Sequence, residues 1–230
     1  MDVEPGAGAQ QDERSRRLTW EDLGAPGARM GLGEPPFGYR VQVPPGWKVL
    51  RTGEELAGDV ERACTGTPGW SNLPAAQQSA LRQLLTSFAT QARLAGAVLT
   101  AADAGYDRAS GELLMGSLTL AWVRTSPVEA DTTLAEVMAE GGRLVRHFAA
   151  DHAVGVLQCG VAETGSETVP GAGSTAYTVQ AFVPTPGTTW MALVTGTTPQ
   201  PRMAALMEKA TERMACTLVL DLPAPGAPPA

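Results

Sequence analysis

The chain has 230 residues, 43% of them hydrophobic, enough for one large domain that buries roughly 70% of its unfolded surface. A formal net charge of −7 argues against nucleic acid or an anionic membrane surface as a partner. No apolar run reaches the roughly 18 residues of a membrane-spanning helix, and three widely spaced cysteines do not make a disulfide framework.

Residues 1–37 are rich in Gly, Pro and charge, and they hold too little apolar surface to offset the entropy of ordering. They are expected to be a disordered N-terminal tail. They contain no apolar segment after a basic start, so a secretory signal is not expected. One island, "RRLTWEDLG", breaks the pattern. Thr19 caps a short helix with Asp22 three residues on, and Leu18, Trp20 and Leu23 supply an apolar surface. Leu18, Trp20 and Leu23 are therefore the candidate partner-binding residues, against the plainer reading that the island docks on its own domain.

A single domain is expected over 38–222. "YRVQV" at 39–43 alternates as a half-buried strand does. Two prolines end the alternation, Gly46 permits a tight corner, and "WKVL" starts a second strand with Trp47 laid against the sheet. "GEELAGDVERAC" is a helix with acidic residues at its start, and "GTPGWSNLP" is a loop. From Ala75 to Leu94, Leu81, Leu84, Leu85, Phe88 and Ala92 recur at three- and four-residue spacing, so this is an amphipathic helix stopped at Gly96. "AGAVLTAADAGY" and "ELLMGSLTLAWV" form an antiparallel hairpin.

Asp131 caps a helix through "TTLAEVMAEGG", and "RLVRHFAAD" fits either a strand or a helical turn. "VGVLQCGVAET", "STAYTVQAFVP" and "TTWMALVTGTT" read as an antiparallel meander. "PQPRMAALMEKATERMAC" is the last helix, with Met203, Leu206, Met207, Ala210 and Met214 on its buried face, and "TLVLD" is a terminal strand. Residues 223–230 are a Pro-rich, solvated tail. Consecutive antiparallel runs with helices inserted between them define an α+β class, with one sheet covered by helices.

No catalytic constellation stands out. His147 and His152 are five residues apart, which gives no shared helical face for a metal. "GSLTL" around Ser117 is not a nucleophile elbow, and "GAGS" at 171–174 is a turn with no Lys to hold a phosphate. Cys64, Cys159 and Cys216 sit in apolar settings and read as buried, inert thiols. Glu54, Glu55, Glu136 and Glu140 read as solvated helix carboxylates, and Arg143, Arg146 and His147 form a small basic cluster. Met203, Met207 and Met214 are core, or else an adaptable binding surface. No catalytic, cofactor or metal residue is assigned, and no enzyme is expected.

Four features resemble the PsbP-like fold family, which includes LpqN-type actinobacterial lipoproteins. They are the corner "YRVQVPPGWKVL", the long helix leading into "AGAVLTAAD", the hairpin "AYTVQAFVPTPGTTWMALVTGTT", and "MEKATERMACTLVL" closing on a short strand. They span about 39–221, without the lipoprotein signal and acylated cysteine. The resemblance implies an antiparallel sheet packed between helices, in a family that acts mostly through binding. All but two of the 17 basic residues are arginines, which together with abundant Ala, Gly and Pro points to a GC-rich bacterial genome. Free cysteines point to a reducing, cytoplasmic setting. The expected role is a non-enzymatic protein-interaction or accessory module that assists a secretion or envelope-associated assembly. The partner is a protein, with no nucleic acid and no integral membrane segment. The alternative is a carrier of a small apolar ligand between sheet and helices.

Overall fold

The computed structural model describes residues 33–51, 53–107, 110, 112–124, 143–164 and 174–221. The partner-binding island with Leu18, Trp20 and Leu23, the helix expected from Asp131 with Glu136 and Glu140, and the tail 223–230 lie outside the described residues.

Over the described residues the chain is α+β. Nine strands are β1 (Gly38–Arg40), β2 (Lys48–Val49), β3 (Ala97–Asp107), β4 (Glu112–Arg124), β5 (Arg143–Ala149), β6 (Val154–Thr164), β7 (Ser174–Pro184), β8 (Trp190–Thr198) and β9 (Val219–Asp221). Three helices are α1 (Leu56–Thr65), α2 (Ala75–Leu94) and α3 (Ala204–Cys216). Seven strands form one antiparallel sheet in the order β2-β3-β4-β8-β7-β6-β5. The β3–β4 hairpin builds one side. The chain then passes to the opposite edge at β5, and a four-strand meander returns until β8 pairs with β4. The "RLVRHFA" stretch, for which the sequence allowed strand or turn, is the edge strand β5.

The expectation of a single sheet is corrected: β1 pairs with β9 in a separate two-stranded ribbon. The ladder expected over 39–43 stops at Arg40 because the next backbone donor finds a side chain instead. The Gln42 N–H is accepted by Thr217 Oγ1 at 3.0 Å, just past the end of α3. The alternation still does its work, since Tyr39, Val41 and Val43 all pack on the main core. Phe37 and Tyr39 meet the fully buried Trp122 edge-on, with centroids 5.5 and 5.1 Å away.

Register assigns the core to two faces. Ala101, Leu118, Val194, Val179 and Leu157 share one face and pack with Met207, Ala210 and Met214 of α3. Ala102, Ala104 and Met115 share the other and pack with Val60, Ala63 and Cys64 of α1 and Leu81, Leu85 and Ala89 of α2. The close seat of α3 depends on two glycines. A Cβ on Gly116 would stand 2.7 Å from Met207 Sδ and 3.0 Å from Trp47 Cη2. One on Gly196 would stand 2.9 Å from Met207 Cε and collide with Thr211 Oγ1.

Two leucines depart from expectation. Leu206 is 47% exposed and Thr211 is buried instead, because the buried stripe of α3 runs 207, 210/211, 214/215 and leaves 206 on its flank. Leu84 is 45% exposed beside a stripe of Leu81, Leu85, Ala89 and Ala92.

A third feature is a polar row on the α1/α2 face. Thr100, Thr119, Thr195, Gln180 and Gln158 stand side by side across five strands. Gln158 and Gln180 are buried, and Gln180 Oε1 has no hydrogen-bond partner among the described residues.

Candidate functional site

The corner at 44–51 is where the edge of the sheet opens. The Trp47 N–H donates to Pro44 O at 3.2 Å, and Gly46 takes φ +93°, which closes a type II turn that no β-branched residue would tolerate. Pro44 is buried and Pro45 exposed. Trp47 is half-buried rather than wholly buried: one edge lies over Gly116 beside Met207, and the rest forms the wall of an open cleft.

That cleft has a volume of about 600 Å³ and lies between β2 and α1, lined among others by Trp47, Lys48, Arg51, Asp59, Arg62 and Gly66. A second, of about 210 Å³, adjoins it through Lys48 and Gly66 and reaches Ala102, Asp103 and Ala104 of β3.

The charges of the cleft are ordered by one buried carboxylate. Asp59 is 3% exposed and sits at an apolar phase of α1 with Val60, Ala63 and Cys64. Its Oδ2 accepts the Arg51 backbone N–H at 2.8 Å and Arg51 Nε at 3.0 Å, and its Oδ1 accepts Arg51 Nη2 at 2.9 Å and Arg62 Nη2. Arg51 Nη1 turns to Glu55 at 2.9 Å. Each Arg51 guanidinium nitrogen thus has an acidic partner, while Arg62 is 64% exposed and lines the cleft. Lys48 is exposed, with no hydrogen bond or ion pair among the described residues. Asp103 of the adjoining cleft is half-buried, and its carboxyl is pushed up by burial and drawn partly back by the Ala104 backbone and Lys48.

The sheet edge is exposed at the same place. The Leu50 N–H donates to Thr100 O at 2.9 Å, so even-numbered residues of β3 aim their N–H and C=O groups away from β4. β2 pairs only with Ala101 and Ala102. Ala104 and Tyr106 lie beyond it, with outward backbone groups that no strand among the described residues pairs. Sequence reasoning missed Asp59, Arg51 and Arg62 as a unit. The signal was present: an acid at the apolar phase of "GEELAGDVERAC".

The remaining candidates fall elsewhere. His147 is exposed on β5. His152 lies in the β5–β6 turn with both ring nitrogens buried and without hydrogen-bond partners among the described residues, and burial pulls its pKa down. Cys64 and Cys159 are buried as expected, but Cys216 is exposed at the end of α3, its Sγ 3.4 Å from Ala149 O, which corrects the reading of three buried thiols. Cys159 is not in a wholly apolar setting: its Sγ lies 3.5 Å from Glu208 Oε1, which also accepts the Tyr177 hydroxyl at 3.0 Å. Burial, then Cys159 and Glu208, push the Tyr177 phenol far up, so it stays protonated. Arg146 pairs with Glu212 of α3. Met203, Met207 and Met214 are buried core. Among the described residues no group of three or more His, Cys, Asp or Glu is placed to hold a metal ion, and no helix is long and apolar enough to cross a membrane.

Fold and site together define an α+β protein built on a mainly antiparallel seven-stranded sheet, with an open, charged cleft at a short edge strand. No known family model matches the chain. No curated protein matches it either.

Proposed function

We propose that this chain is a non-enzymatic protein-interaction module, a PsbP-like α/β/α sandwich acting in a bacterial cytoplasm in support of a secretion or envelope-associated assembly. The observation that supports it is the stepped edge of the sheet. β2 pairs with two residues of an eleven-residue strand, and beyond it Ala104 borders a cleft that a second chain can enter. An exposed edge is a template for pairing with another polypeptide. The opposite edge is less inviting, because β5 carries a register shift between Leu144 and Arg146.

The carrier reading needs space under α3. There Met207 and Met214 are completely buried, and Met207 is seated on Gly116 and Gly196. An active site needs convergent titratable groups in a cleft. Of the groups that line the two clefts among the described residues, Asp59 is held by arginines, and Lys48 and Asp103 lie in a smaller cleft beside it.

The test is crosslinking in the source cell to identify the partner, followed by binding with both proteins purified. Ala104→Pro removes one outward N–H at a position where an edge strand tolerates proline. It should weaken binding at least tenfold with an unchanged melt. Full binding by Ala104→Pro, together with loss on deleting residues 1–37, would move the contact to the N-terminal island.

A further inference from the structure

The β5–β6 turn holds a histidine with no place for a second proton. His152 is half-buried in the turn Ala150–Ala153, which the Ala150 N–H closes by donating to Ala153 O at 2.9 Å. Both ring nitrogens are buried, and neither has a hydrogen-bond partner among the described residues. A neutral imidazole leaves one donor and one acceptor unmet there. An imidazolium carries two donors and a full charge, and both donors need oxygen or water. Asp151, exposed beside it in the turn, is the charge that favours protonation. On the flanking elements the charged and titratable side chains are Arg146 and His147 of β5, and Glu212, Arg213 and Cys216 of α3. Arg146 is paired with Glu212, and the Cys216 thiol reaches Ala149 O. β6 carries no titratable side chain from Val154 to Gln158.

We propose that the β5–β6 turn is a pH-sensitive latch at the edge of the sheet: protonation of His152 drives its ring out of the turn into water and loosens the end of β5. The seated ring belongs to the neutral form and the released ring to the charged one, so acid shifts the population toward the open turn. The turn secures the last rungs of the β5–β6 ladder, Ala149 with Val154 and Phe148 with Gly155. Ala150 packs on the main core, and Phe148 lies across Gly155, where a Cβ would collide with its ring. Phe148 is only 7% exposed in the closed form. Fraying from the turn therefore changes a sealed edge into an apolar one, and an edge of that kind is a template for association.

The experiment is amide hydrogen exchange on the full chain between pH 7.5 and pH 5, corrected for the intrinsic pH dependence of exchange, alongside an NMR titration of the histidine rings. Protection over residues 148–156 should fall about fivefold more in acid than protection over residues 180–194 of the β7–β8 hairpin, which contains no histidine. The midpoint of that loss should coincide with the titration of His152. His152→Gln, which stays neutral, should abolish the extra loss, and His147→Gln should leave it in place. Asp151→Asn should move the midpoint to lower pH, because it removes the charge that favours the imidazolium. A His152 ring that titrates with no change in protection over 148–156 would overturn the proposal, as would a His152→Gln protein that loosens in acid as much as the parent. Where His152→Gln melts too readily to compare, Asp151→Asn decides: an unchanged midpoint overturns the latch.

Discussion

Trp47 shows how one side chain divides between architecture and surface. Its Cη2 lies against Gly116 next to Met207, so part of the indole is core, and the remainder borders the cleft. Truncating a fully buried Trp costs about 3–5 kcal/mol; a half-buried one should lose roughly half of that, so Trp47→Ala is expected to cost about 2 kcal/mol in urea melts. A loss of about 4 kcal/mol would mean that the indole is sealed into the core and is no part of a binding wall. The sequence made this corner legible, because Pro-Pro-Gly-Trp has few conformational options. It did not reveal how far the indole is covered, since that depends on Met207, 160 positions further on. The Asp59 pairing with Arg51 spans only eight residues, yet no local rule connects a helix acid to a backbone N–H across a turn.

At the level of elements, the close seat of α3 depends on Gly116 and Gly196 beneath Met207 and Thr211. Gly196→Ala should therefore unseat it. The added methyl meets Thr211 Oγ1, and Thr211 is buried on a helix where a β-branched side chain has little rotamer choice. A cost of about 2–3 kcal/mol is expected, with loss of amide protection concentrated in α3 and its neighbours β7 and β8. Unchanged stability would mean that α3 shifts freely on the sheet. The helices and the β6–β8 meander were readable from period alone, because each carries its own apolar pattern. The ribbon of β1 with β9 was not, since its partners are 181 residues apart and three residues of ladder leave no local signature. The place of β8 beside β4 was hidden for a similar reason: pairing order in a sheet is a property of the closed fold. The polar row through Gln180 was half visible, as Thr178 and Gln180 share a side with Phe182 in the sequence. Only register shows that it continues through Thr195 and Thr119 to Thr100.

For the whole molecule, two half-buried ionisable groups, His152 and Asp103, give stability opposite slopes with pH. His152 has its pKa pulled below 6.5 by burial, so between its folded value and 6.5 the unfolded chain binds a proton that the folded chain refuses. Its contribution is present above pH 6.5 and is lost as pH falls through that window. Asp103 works the other way. Burial raises its folded pKa above 3.8, so between 3.8 and the folded value the folded chain keeps a proton that the unfolded chain releases. That contribution is complete below pH 3.8 and is lost as pH rises through the folded value, leaving a desolvated carboxylate at neutral pH. Asp103→Asn should thus be more stable than the parent at pH 7, and the gain should disappear by pH 3. The measurement is the difference between the two proteins in denaturant melts at several pH values, which cancels the titration of every other carboxylate. A gain that persists at pH 3 would mean that the asparagine helps by packing. A loss at pH 7 would mean that the attraction between Asp103 and Lys48 outweighs the burial of the carboxylate. In that case Asp103 and Lys48 would form a pair that stabilises the folded chain.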